Sequence, residues 1–237
     1  MELDLTRETL VLGATWYVAF LLSLTLHEAG HAWAALKLGD PTAYLGGQVT
    51  LNPLPHVRRA PVGTVVVPVV SYLLGGWMIG WASAPYDPVW AERHPKKEAL
   101  MAAAGPAANL ILVLLSGAAL RVGLETGVFT FPDRETFGFE GLAGPGAPWT
   151  GGVVPLLSIL FSLNLLLFLF NLLPFPPLDG SAVFPALFGE SAARGFKSLL
   201  RAQPALSLLG LVIAWKLFGP LFQPVFGFAL VVLYAGL

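Results

Sequence analysis

The chain has no cysteine among its 237 residues. That excludes disulfides and thiolate metal ligands, and leaves histidine and carboxylate as the side chains for any metal site. Charge is scarce as well: 11% of residues are Asp, Glu, Lys or Arg, against 56% hydrophobic. The net charge of -1 offers no basic field for nucleic acid, so no nucleic-acid partner is expected. The N-terminus, Met1 to Glu8, is mixed in charge rather than basic, and no small-residue cleavage pattern follows it. A removable signal peptide is therefore not expected. No internal repeat or low-complexity tract stands out. What is present is apolar length, with a mean hydropathy of +0.73, the composition of a protein integral to a lipid bilayer.

Along the chain, turn residues divide the apolar runs. The first helix is expected over Leu10–Leu38, stopped by Gly39-Asp40-Pro41. Tyr44–Leu51 alternates in part and reads as a short strand. Pro61–Trp81 is apolar but interrupted at Pro68 and at Gly75-Gly76. Glu98–Leu120 and Gly152–Leu173 are clean spans, separated by a Gly- and Pro-rich loop, Gly123–Trp149. Ala182–Ala202 carries Arg194, Lys197 and Arg201, and Ala205–Leu237 is broken at Gly219-Pro220. Trp77, Trp81 and Trp90 read as interfacial anchors, and His94 as a solvated loop residue. Residues 1–237 thus form one all-α polytopic membrane domain with a short membrane-associated β segment.

The stretch His27-Glu28-Ala29-Gly30-His31 lies inside the first apolar run. On a helix, residues four apart share a face, so His27 and His31 can offer two imidazole nitrogens to one ion. Glu28 is turned by about a quarter-circle from His27, placed to handle the proton of a water at that ion. This is the HExxH arrangement of a zinc hydrolase. Ionisable groups at membrane depth cost roughly 2.5–3.5 kcal/mol each on insertion scales, and are seldom there without a task. Asn109 in a later span has two readings, hydrogen-bonded packing between helices or contact with the site, of which packing is the commoner.

Zinc hydrolases generally use a third protein ligand and keep one open position. The candidates are His56, His94 and the carboxylates bordering membrane segments. Asp179 is the best placed, since Pro174, Pro176 and Pro177 hold its segment extended and Gly180 lets the chain turn. By itself, Asp179-Gly180 also reads as an ordinary turn.

Three motifs together resemble the site-2 protease family of intramembrane zinc metalloproteases. They are HEAGH at 27–31, Gly105-Pro106-Ala107-Ala108-Asn109, and Asn171-x-x-Pro174 followed by Leu178-Asp179-Gly180. The resemblance implies one Zn2+ per chain held by His27, His31 and Asp179, with Glu28 as catalytic base. It implies that Asn171 contacts the substrate or its oxyanion, and that the substrate is a transmembrane protein. The segment Thr50–His56 is similar to the small bacterial branch without PDZ or CBS domains. That branch often follows this histidine with an acidic residue and proline, whereas here Val57-Arg58-Arg59-Ala60-Pro61 follows. Two other classes remain open: an inactive relative that binds membrane helices, and a metal transporter, which should show polar residues along a whole crossing.

Charge sets an orientation. If the metal-binding helix ends face the cytoplasm, that side holds Lys37, Arg58, Arg59, Arg93, Lys96, Lys97, Arg194, Lys197 and Arg201, and the other keeps Arg7, Arg121 and Arg134. A cell-membrane protein, multi-pass, of the bacterial inner membrane is the reading, with its active site opening toward the cytoplasm. Pro61–Trp81 then cannot cross once, and a re-entrant hairpin bent around Gly75-Gly76 is expected. Tyr44–Leu51 is the segment expected to capture an unwound substrate by strand addition. The oligomeric state is not legible.

Overall fold

Helix α1 (Arg7–Leu38) forms over a stretch without proline. It begins where the Thr6 hydroxyl accepts the N–H of Thr9, and ends at Gly39, whose φ of 106° only glycine adopts readily. The computed structural model of the protein describes residues 6–237, so most of the mixed-charge N-terminus read above (Met1 to Glu8) lies outside the described residues. Lys97 Nζ donates to the Leu38 carbonyl at 3.0 Å, closing the negative end of the helix.

Asp40 then organises the turn. Its carboxylate accepts the N–H of Thr42 at 2.9 Å and the N–H of Asp87 at 2.8 Å. Burial alone would raise this carboxyl, but the hydrogen bonds from Thr42 and Asp87 outweigh it and hold the group below the usual carboxylate range. The stability it contributes is therefore present above the unfolded-state value and lost as pH falls through the lower folded one. The same bonds start a helical turn, α2 (Thr42–Leu45), which runs into Gly46 and a left-handed Gly47. Tyr44–Leu51 is consequently not the strand read from its alternation. Local capping by Asp40 overrides a weak period-two pattern.

Asn52 accepts the N–H of Leu54 and starts α3 (Pro53–Arg59). A π-helical turn over Val62–Val66 leads straight into α4 (Val67–Gly75), and the axis bends by 113° between α3 and this Val62–Gly75 piece. At Gly76 the chain reverses, and residues 77–87 return extended along the helix they have just left. Trp81 N–H donates to the Gly63 carbonyl at 3.1 Å, and the Ser71 hydroxyl accepts Ile79 N–H at 3.1 Å. A Cβ on Gly63 would meet the Trp81 ring at 2.8 Å, so this approach needs glycine. The hairpin expected around Gly75-Gly76 is thus present, with one helical and one extended arm.

Helices α5 (Pro88–Arg93) and α6 (Pro95–Glu125) follow. Strands β1 (Phe129–Thr130) and β2 (Gly144–Pro145) pair antiparallel in the loop before α7 (Val153–Asn171). Then come α8 (Gly180–Leu187), α9 (Glu190–Ala202) and α10 (Ala205–Tyr234). Among the described residues, four helices are long and apolar enough to cross a membrane: α1, α6, the α7 region and α10. The architecture is all-α and polytopic, and its small β element lies at 129–145 rather than at 44–51. Nor is α10 broken at Gly219-Pro220; it runs through both Pro220 and Pro224. An apolar membrane helix tolerates interior proline when neighbours satisfy the freed carbonyls.

The centre of the bundle is α1 against α6 and α7. A Cβ on Gly30 would lie 2.8 Å from the Ala104 carbonyl, so the two backbones approach as closely as small residues allow. Trp16, Phe20 and Leu24 pack on Ile159, Leu160 and Leu163 of α7. Trp90 differs from its expected role as an interfacial anchor: α5 folds it onto α1, buried among Ala34, Ala35 and Met101. Trp77 and Trp81 are exposed. The far end of α10 is fixed by Arg121, which donates to the carbonyls of Val232, Leu233 and Ala235 and so satisfies the last turn.

Candidate metal centre

Two elements deliver three donor atoms to one point. His27 and His31, one turn apart on α1, bring their Nε2 atoms to 3.0 Å. Asp179 arrives from the other side, at the start of α8. Its Oδ2 lies 3.2 Å from His27 Nε2 and its Oδ1 3.4 Å from His31 Nε2. The turn that places it depends on Gly180, where a side chain would strike the carbonyls of Leu172 and Leu173. His27, His31 and Asp179 are the one group of three or more such side chains with converging donors among the described residues.

The protons on the imidazoles are fixed by the far side of each ring. Met101 presents a carbonyl to His31 Nδ1 at 2.8 Å, and a carbonyl can only accept. His31 therefore carries a proton on Nδ1, and the neutral ring keeps its lone pair on Nε2. For His27 the reasoning runs through two amides. Asn164 Nδ2 donates to the Leu160 carbonyl at 2.7 Å and to Ser23 Oγ at 2.8 Å, which turns its Oδ1 toward Asn109. Asn109 Nδ2 donates to that oxygen at 2.8 Å, so Asn109 Oδ1 faces His27 Nδ1, at 2.6 Å. His27 Nδ1 must then donate, leaving a second lone pair on Nε2. Asp179 Oδ2 is buried with no hydrogen-bond donor.

Two Nε2 atoms and a carboxylate that face one another at 3.0–3.4 Å fit a cation between them. Gly105 makes room for it. A Cβ there would stand 2.6 Å from His27 Nε2 and meet His31 Nε2 as well, filling the space the donors surround. The ligand set, two neutral imidazoles and one carboxylate, suits Zn2+ with an open position.

Glu28 is buried and lines the same cavity as the three donors. Asn171 also lines this cavity, with its Nδ2 donating to the Leu167 carbonyl of its own helix at 3.0 Å. The cavity measures about 1050 Å³ and is bounded by α1, the extended residues 77–86 and helices α6 to α10. His56 is buried elsewhere, its Nε2 bonded to the Thr50 carbonyl at 3.1 Å. His94 is exposed, edge-on to Trp90. Neither joins the donor group. Ser23 and Asn164, which no sequence motif marks, complete the orienting chain. Their signal was available: each is a polar side chain inside an otherwise apolar span.

Asn109→Leu removes the acceptor that orients His27 and orphans Asn164 Oδ1. Zinc affinity is expected to fall 10–100-fold, read by competition with a calibrated chelator. Unchanged affinity would remove Asn109 from the site.

An HExxH helix, a distal carboxylate and a bundle of membrane-length helices together define a class, the membrane-embedded zinc metalloproteases. The chain belongs to peptidase family M50, whose model matches residues 15–217. It is 31% identical over 225 residues to "Putative zinc metalloprotease YwhC" of Bacillus subtilis, covering 87% of this chain and 92% of that one. It is 35% identical over 176 residues to "Putative zinc metalloprotease Rip2" of Mycolicibacterium smegmatis, covering 73% of this chain and 57% of the relative. The Rip2 of Mycobacterium tuberculosis H37Rv is 31% identical over 163 residues, of which this chain spans 53% of the relative's length. No solved structure matches the chain. The protein is accordingly a site-2-protease-like, multi-pass membrane metalloprotease, and the family implies Zn2+ as its metal.

Proposed function

We propose that residues 1–237 act as one intramembrane endopeptidase domain, cutting peptide bonds in or near the transmembrane helices of membrane-protein substrates. The observation that carries this is the convergence of His27, His31 and Asp179 beside Glu28 in a cavity walled by membrane-length helices. His27, His31 and Asp179 would hold the metal. When bound, Zn2+ supplies Lewis acidity, which brings water toward ionisation near neutral pH and polarises a carbonyl.

The protein's own groups do the rest. Glu28 takes a proton from the attacking water and delivers it to the departing amine. Asn109 and the Met101 carbonyl keep both imidazoles in the tautomer that leaves Nε2 free. Asn171, released from its bond to Leu167, can offer an N–H to the developing oxyanion. The helix-walled cavity keeps bulk water from competing at the reacting bond. Capture of an unwound substrate belongs to residues 77–86 instead of Tyr44–Leu51, because these residues are extended and line the cavity.

The test is cleavage of a single-span helical substrate co-reconstituted in lipid vesicles. Cleavage should stop on chelation and return with added Zn2+. Cleavage that persists after complete metal removal overturns the reading.

The positive-inside rule places Arg58, Arg59, Lys96 and Lys97 on the cytoplasmic face of the cell membrane, the face to which the site opens. Because the chain lacks cysteine, single cysteines at positions 58, 96 and 135 can be labelled without background. Positions 58 and 96 should react from one side and 135 from the other. Opposite accessibility of 58 and 96 would sink this topology.

A further inference from the structure

The end of the cavity remote from the metal carries a feature that the proteolytic reading leaves unused. The loop between α6 and α7 folds inward there. Phe139 stacks on Trp16 with ring centroids 5.6 Å apart, and on Phe226 of α10 at 6.3 Å. Glu140 follows, and its Oε1 accepts the indole N–H of Trp16 at 2.5 Å. Leu142 anchors the loop: it is fully buried, its N–H bonded to Ser158 Oγ and its carbonyl to the Tyr234 hydroxyl. A cavity of about 380 Å³ opens at this point, lined by Trp16, Trp77, Phe139 and Glu140 among others. It shares Trp16, Trp77 and Phe139 with the large cavity that holds the metal donors. Among the described residues, no Lys, Arg or His lies within ion-pair distance of Glu140.

We propose that Glu140, with the exposed ring of Trp77 across the same cavity, forms a subsite for a lysine or arginine of the substrate, selecting membrane helices with a basic residue on the side of the cut bond remote from the metal. The proposal rests on the proteolytic reading and adds a substrate class to it. The chemistry is that of a cation recognised by a half-buried carboxylate and an indole ring beside it. Trp16 N–H supplies one neutral donor to the carboxylate, so its charge is left for a cation to balance. The loop anchored at Leu142 holds the group in place, which limits the ordering cost of capture.

The spacing gives a register. Trp16 and His27 are eleven residues apart on α1, about 16 Å along the helix axis. A substrate segment extended at about 3.3 Å per residue covers that distance in about five residues. The selected basic residue therefore stands about five positions from the cut bond if the intervening stretch is unwound, and about eleven if it stays helical.

The test measures capture without cleavage, so its failure is separable from failure of the protease reading. Zinc-loaded Glu28→Gln protein is placed in phosphatidylcholine vesicles with a photocrosslinking apolar helix that carries Lys, Gln or Glu at its outer end. The Lys peptide should label the protein about tenfold more than the Gln peptide, the order set by one desolvated cation contact. Adding Glu140→Gln keeps an acceptor for the Trp16 N–H but removes the charge, and should abolish the preference. Adding Glu140→Lys should invert it toward the Glu peptide. Retained zinc content shows that each variant is folded. Equal labelling by Lys and Gln peptides, a preference that survives Glu140→Gln, or no labelling by the Lys peptide overturns the proposal.

Discussion

Glu28→Gln should leave a folded protein with its full complement of zinc and almost no activity. The side chain is buried beside the donor group but is not one of the three converging donors. An amide of nearly the same shape therefore costs little in packing. It cannot accept the proton of the attacking water or return it to the leaving amine. General acid–base catalysis contributes about 10²–10⁴-fold, and the loss should be at least of that size because water activation depends on the same transfer. Metal analysis beside cleavage in vesicles checks both halves. Full cleavage by this variant, with contaminating proteases excluded, would end the assignment of Glu28 as base.

Asp179→Asn should fail in a different way. Here the loss is of a candidate ligand: a neutral amide replaces a carboxylate opposite the imidazole nitrogens of His27 and His31. Zinc affinity is expected to drop by more than the 10–100-fold typical of an orienting group. Activity should then vanish at limiting zinc and return in part when zinc is raised. That concentration dependence separates it from Glu28→Gln, whose defect no amount of metal repairs. If Asp179→Asn keeps stoichiometric zinc under chelator challenge, another group fills the third place.

The site was legible in the sequence where its logic is local or strongly patterned. His27 and His31 are one turn apart, so any helix brings them together, and an unbroken apolar run makes the helix certain. Asp179 required the family resemblance, because nothing local distinguishes it from a common turn. The hairpin at Gly75-Gly76 followed from charge on its two flanks, yet its extended arm did not. Residues 77–87 contain Gly80 and Pro85 and no alternation, and are held extended by contacts with Gly63 and Ser71. Tyr44–Leu51 misled for the converse reason, since a side chain just outside the segment, Asp40, decides its conformation. Trp90 misled because a tryptophan near charged residues has two stable fates, the interface or a pocket under a short helix. The orienting role of Asn164 depends on a partner 55 residues away, a separation no periodicity reports.

The chain Ser23–Asn109–Asn164 joins α1, α6 and α7. Apolar helices in lipid can slide or rotate past one another with little change in contact energy, because leucine against leucine resembles leucine against lipid. Directional bonds end that degeneracy. Shifting α7 by one turn, about 5.4 Å, would strand the Asn164 amide in hydrocarbon, and shifting α6 would also break the Asn109 bond that holds His27 in its working tautomer. Each such bond contributes only about 0.6 kcal/mol on average in membrane proteins, so the chain adds little to total stability. What it provides is uniqueness of assembly: only the correctly aligned bundle can become a metalloenzyme, and misaligned forms are excluded from chemistry before any substrate arrives.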